Sequence, residues 1–274
     1  NRRNIKDSKL SDSEIITISI VGELLTIDSE KSFFSLLKRE YKELFPRLGD
    51  RTRFNRTKRN LHLVISKIRG YISEFMQLYS NNVRVIDSMP IPVCEFGRSH
   101  FSKCFKGEAS YGICASKKET YFGFKFHALT TVDGFLTDYV ITPANIDDRN
   151  AVWDLCDKYR SISIIGDKGY INKRLTPELK SERDIDLLFL KIENSRDNYP
   201  KEVRQLLFKV RRRIETSFSQ LTEQLNLNKV KSKSMLGFMT RTSIKVLAHN
   251  ISFLINKLMR NDDSMAKIKR LVFG

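Results

Sequence analysis

The chain has 274 residues, 41% of them hydrophobic, which is enough for one large domain or two unequal ones and excludes a small stapled fold. Lys and Arg outnumber Asp and Glu by 49 to 32, a formal charge of +17 that sets the chain apart from a typical metabolic enzyme and points to a polyanionic partner. No run approaches the roughly 18 apolar residues needed to span a bilayer, and Cys94, Cys104, Cys114 and Cys156 lack the C-x-x-C pairs of a zinc site, so a cytoplasmic protein with reduced thiols and no membrane partner is expected. The first residue is Asn1 and not Met, which suggests a cut or processed start.

Residues 1 to 80 read as wholly helical. Ser11 to Glu14 spells a capping box, followed by Ile15, Ile16, Ile18, Val21 and Leu24 at helical spacing. A second helix is predicted from Ser29 to Leu44, closed by Pro46 and Gly49. Next, Arg47, Arg51, Arg53, Arg56, Lys58 and Arg59 crowd around one acid, Asp50, at the start of a helix whose stripe is Leu61, Val64, Ile65, Ile68, Ile72, Phe75 and Met76. The basic stretch is either a phosphate-contacting surface or a solvated face.

At Asn81 the period changes from helical to alternating, and a mixed domain is expected from 81 to 274. Val83 and Val85 lead into Asp87, with Pro90 and Pro92 expected to stop the strand. Residues 93 to 118 suggest short strands with turns at Gly107 and Gly112. From Tyr121 to Thr130, Phe122, Phe124, Phe126 and Ala128 alternate with Lys125 and His127, and Asp133-Gly134 turns the chain into FLTDYVIT. Asp147 or Asp148 is expected to cap a helix running to Tyr159, a role as ligands being the less favoured alternative. Ile162 to Ile165 reads as a buried parallel strand that delivers Asp167, and Ile185 to Leu190 as another. A long helix from Lys201 to Leu225 carries Glu215 at the edge of its apolar stripe, where Arg211 and Arg212 can pair with it. A last amphipathic helix runs from Phe238 to Leu258.

Two carboxylates at strand ends and a third on a helix, in a basic chain, point to phosphoryl transfer with hard divalent ions. Other machinery is missing: Gly107 to Gly112 lacks the Lys-Ser/Thr of a P-loop, no G-x-S-x-G elbow occurs, and four scattered histidines do not make a zinc hydrolase. For Glu215 taken alone, an ordinary helix salt bridge remains the alternative.

The stretches VIDSMPIPV, GFKFHALTTVDGFLTDYVITPANIDD, IIGDKGY and RRRIETSFSQL resemble the DDE transposases of bacterial insertion sequences, over residues 81 to 258. The helical start followed by FPRLGDRTRFNR is similar to one branch of that group. The resemblance implies an α/β, RNase H-like mixed sheet flanked by helices, preceded by an all-helical DNA-binding domain over 1–80. It implies Asp87, Asp167 and Glu215 as catalytic, metal-holding acids, with Mg²⁺ as cofactor and Mn²⁺ able to substitute. It implies cleavage and strand transfer at terminal inverted repeats, with double-stranded DNA as partner, a homodimer in the DNA complex and a bacterial cytoplasmic, nucleoid-associated location. Relatives carry a tyrosine, an arginine and a lysine around the glutamate; Arg211 matches the arginine, whereas Phe208 and Thr222 occupy the other two positions. The expected DNA contacts are Arg47, Arg51, Arg53, Arg56, Lys58, Arg59, Lys125, His127, Lys168, Arg211, Arg212, Lys229, Lys231 and Lys233. For Lys125 and His127, contact with the scissile phosphate competes with an idle strand face. Two rivals share the acids: a nuclease of the same fold that cuts without joining, and a transposase-derived protein that binds DNA without cutting it.

Overall fold

The change of period at Asn81 opens the first strand of a six-stranded sheet. The structure, a computed structural model, describes residues 9–78, 81–114, 118–170, 172–189, 199–260 and 266–268. Contacts divide the chain into two units, residues 73–220 and residues 1–72 together with 221–274. The mixed unit was expected to include the C-terminal helices; by contacts they group with the N-terminal ones.

In the unit spanning 73–220, strands β1 (Val83–Pro92), β3 (Glu119–Thr130) and β4 (Leu136–Pro143) pair antiparallel, and β2 (Ser110–Cys114) pairs with the start of β3. Strand β5 (Ile162–Gly166) runs parallel to β1, and β6 (Ile185–Phe189) parallel to β5. Helices α5 (Ala151–Leu155), α6 (Leu175–Arg183) and α7 (Lys201–Ser219) flank this sheet, so the fold is the RNase H-like α/β arrangement that the resemblance implies. Side chains on a strand alternate between faces, and the two faces have different cores. Ile86, Ile164 and Leu187 pack with Val152, Leu155 and Leu179 of α5 and α6. Val83, Ile165 and Leu188 pack with Leu207 and Val210 of α7.

Strand β1 does not stop at its prolines. Val93 N–H donates to Phe122 O at 2.9 Å, so by alternation the odd residues of β1 donate to β3, and Pro90 and Pro92 fall where their missing N–H would face away from it. On that side β5 pairs β1 only through Val85, so no ladder bond is lost. Asp87 therefore lies within the strand and not at its end. The β3 to β4 turn forms at Asp133-Gly134 as predicted, with Gly134 at φ 96°. Between Val93 and Lys118, a 3₁₀ turn at Phe96–Phe101 precedes β2. The helix expected to reach Tyr159 ends at Leu155, and the long helix α7 passes into a π turn at Gln220–Gln224.

The other unit contains α1 (Asp12–Leu24), α2 (Glu30–Glu40), α3 (Arg51–Asn60), the start of α4 (His62–Phe75) and α8 (Met235–Leu258). The capping box forms: Ser11 Oγ accepts from Glu14 N–H, and Glu14 accepts from Ser11 N–H at 2.7 Å. The basic stretch is a helix in its own right. Asp50 caps it by accepting from the N–H groups of Thr52 (2.8 Å) and Arg53 (3.0 Å), and Phe54 is its buried anchor, its ring tilted against that of Phe34. In α4, Leu61, Ile65, Ile72 and Met76 are buried as expected at its edges and core face, whereas Val64 and Phe75 are exposed. Helix α2 stops four residues short of Leu44, at Glu40. Helix α8 packs against α1 and α3 and is buried on most of its circumference. There Glu23 of α1 accepts from Arg241 Nε at 3.0 Å and from Lys245, whose ammonium also donates to Leu225 O. Among the described residues, no helix is long and apolar enough to cross a membrane.

Candidate active site

Strand register brings the two aspartates together. Val85 pairs with Ile165 in the parallel ladder, and two residues further on each strand come Asp87 and Asp167. The period of two puts both on the α7 face, the face of Val83 and Ile165. Helix α7 packs over β1 and β5 and carries Arg211 and Glu215 one turn apart on that side. The result is an open cavity of about 430 Å³ lined by Asp87, Asp167, Arg211 and Glu215.

Arg211 Nη2 stands 3.5 Å from Asp167 Oδ2 and 3.5 Å from Glu215 Oε1, so one guanidinium bridges two acids. Asp87 is the deepest of the three. Burial pushes its carboxyl up to about 6; the Ser88 N–H, donating to Oδ1 at 2.8 Å, and Arg211 act in the opposite direction, and Asp167 and Glu215 add to the rise. As the side chains stand, with Arg211 between two of the acids, no three His, Cys, Asp or Glu among the described residues are grouped to hold a metal ion. Between Asp167 and Glu215 the guanidinium supplies the positive charge.

A fourth acid lines the same cavity. Asp147 is the cap, accepting from Arg149 N–H at 2.9 Å, which leaves Asp148 to turn toward β1 and β3. Its carboxylate accepts from Lys125 Nζ at 2.8 Å and from Ser88 Oγ at 3.1 Å, while Lys125 also donates to Ile146 O at 2.8 Å. His127 is fully buried: β3 is covered on both faces, so its polar positions are not a free surface. Its Nε2 lies 2.9 Å from Thr142 Oγ1, and burial takes the imidazole down to about 4, leaving it neutral at physiological pH. Tyr170, also buried, approaches the same acids, and its phenol is pushed up by burial.

The expected DNA contacts are dispersed. Lys125 and Arg211 line the cavity and Arg212 is exposed on α7; the side chain of Lys168 lies outside the described ones. Phe208, at the tyrosine position of relatives, is half exposed on α7, and Thr222 falls in the π turn. In the helical unit Arg47, Arg51, Arg53, Arg56, Arg59, Lys229, Lys231 and Lys233 are exposed, while Lys58 is paired with Glu30. Residue types alone do not single out Ser88 or Tyr170, and for Asp148 they favour a capping role over one as ligand. The Asp147-Asp148 pair held a usable signal, because one cap needs one carboxylate and leaves its neighbour for another task.

A family model described as the transposase DDE domain matches residues 77–235, more than half of the chain. No curated protein and no solved structure matches it. With its acids brought onto one face of an RNase H-like sheet, the chain belongs to the transposase DDE-domain family.

Proposed function

We propose that this transposase cuts DNA at the terminal inverted repeats of an insertion sequence and joins the freed 3′-hydroxyl to target DNA, with Mg²⁺ as cofactor and Mn²⁺ able to replace it. The observation that carries the reading is the register: Asp87 in β1 and Asp167 just past β5 each stand two residues beyond the paired Val85 and Ile165, under a helix that brings Glu215 to the same cavity. Asp87, Asp167 and Glu215 offer oxygen donors only, which suits a hard divalent ion, and burial raises the Asp87 carboxyl to about 6, a shift that a bound cation would oppose. Divalent ions held by these three carboxylates would supply polarisation of the phosphodiester and would favour deprotonation of the attacking water or hydroxyl.

The chain's own groups have separate tasks in this reading. Asp87, Asp167 and Glu215 are the ligands. Arg211 neutralises two of them in the free protein and turns to the DNA phosphate when they take up cations. Asp148, locked by Lys125, accepts from Ser88 Oγ and thereby holds the backbone beside Asp87. The helical unit supplies DNA affinity through the exposed cations of α3 and of the 229–233 segment, and two copies act together on paired ends in the nucleoid. Incubation with end-labelled terminal repeats and Mg²⁺ tests this: nicked ends and joined products are expected on a denaturing gel. Cleavage without joining would reduce the protein to a nuclease, and binding without cleavage would remove the catalytic role.

A further inference from the structure

Two basic segments that are far apart in the chain meet in the helical unit. The last turn of α3 brings Lys58 and Arg59, and the segment leading into α8 brings Lys231 and Lys233, around one cavity of about 240 Å³. Ion pairs fix two of its walls. Lys58 is bonded to Glu30, and Arg241 is held by Glu23 at 3.0 Å and Asp28 at 3.5 Å. Arg59, Lys231 and Lys233 differ: all are exposed, and among the described residues none has a carboxylate within ion-pairing reach. Three uncompensated cations thus face a cavity whose one acid is already neutralised.

The rest of the lining selects the ligand. Asn55, Ser232, Ser234 and Thr240 are polar, and no aromatic or large aliphatic side chain lines the cavity to hold a base or a sugar. Helix α8 begins here, capped by Ser234 on Gly237 N–H at 3.3 Å, with no acid in its first turn to offset the positive end of its dipole. Cations on an open rim, with nothing to grip a nucleoside, match a charge presented by an extended backbone.

We propose that this cavity holds one phosphate of a DNA backbone, clamped between Arg59 on one side and Lys231 and Lys233 on the other. The proposal rests on the reading of the chain as a DNA-cutting transposase and gives its helical unit a defined contact point. It lies at the margin of the family match, which ends at residue 235.

The test is a salt titration of binding to a fixed-sequence DNA duplex, using the full chain and the variants Arg59→Ala, Lys231→Ala/Lys233→Ala and all three together. Each phosphate neutralised contributes about 0.9 to the slope of log affinity against log salt. If the three cations share one phosphate, the triple variant flattens the slope by about 0.9, and the losses from the two smaller variants are not additive. A flattening of about 2.7 means three separate phosphates and overturns the clamp, as does an unchanged slope. If the wild-type chain shows no affinity for DNA, the underlying reading fails and the clamp with it. All three side chains are exposed, so their removal leaves the core intact, and a thermal melt of each variant checks this.

Discussion

Both units bury a carboxylate beside basic side chains, and they do so to opposite effect. In the helical unit two acids, Glu23 and Asp28, are matched by two cations, Arg241 and Lys245, and the α1 to α8 contact is closed around them. In the catalytic unit Asp87 shares a single guanidinium with Asp167 and Glu215, and its cavity is open. Where charges balance, the ion pairs only hold helices together. Where acids exceed cations, folding leaves a deficit that a ligand can fill; burial first, and the neighbouring acids after it, push the Asp87 carboxyl up to about 6.

Four substitutions probe this contrast. Asp87→Asn keeps the shape and the Ser88 contact but removes a proposed ligand and a buried like charge. Cleavage should fall by at least about three orders of magnitude, or about 4 kcal/mol of transition-state stabilisation, with DNA affinity nearly unchanged. In EDTA its melting temperature should rise, because an undercompensated charge is gone; a lower melting temperature would mean that the acid stabilises the fold and the comparison is wrong. In the balanced unit the sign reverses. Glu23→Ala strands Lys245 in the interior, leaves Arg241 with Asp28 alone, and should cost about 3–5 kcal/mol by denaturant unfolding. A loss below about 1 kcal/mol would mean that water reaches the pair and the helical unit is not closed there.

Gly166→Ala is the third test. An added Cβ would meet Ile86 Cγ2 at 2.9 Å and the Tyr170 ring at 3.3 Å, so the end of β5 must shift and carry Asp167 with it. A destabilisation of about 1–3 kcal/mol is expected together with a drop in cleavage and intact DNA binding. Unchanged cleavage would show that the position of Asp167 is not critical. The smallest effect belongs to Ser88→Ala, which removes the hydroxyl bonded to Asp148 at 3.1 Å and should cost about 1 kcal/mol in cleavage, roughly fivefold, measured under single-turnover conditions.

The aspartates could be read from sequence because short apolar runs bounded by turn residues describe strands well, and because a parallel pair needs only its register to align the residues just beyond it. That Asp87 lies within a strand could not be read, since the two prolines are compatible with β1 only through the early end of its β5 partner. Helix α3 is not legible as a separate element because one buried residue, Phe54, leaves almost no apolar period. His127 followed the alternation but not the expected exposure, because alternation marks opposite faces and does not say which of them is covered. The grouping of α8 with α1 rests on side-chain contacts, such as Lys245 with Glu23, that no local pattern encodes.

The closing contacts of the helical unit lie far apart in the chain: Lys245 meets Glu23 across 222 positions. On a ribosome adding about 5–20 residues per second, the second partner is made roughly 10–45 s after the first. During that interval the whole of residues 73–220 has been made, a contiguous segment with its own sheet and core. A nascent chain can therefore complete its acid-lined cavity while α1 still waits for α8, and the helical unit is the last part to mature.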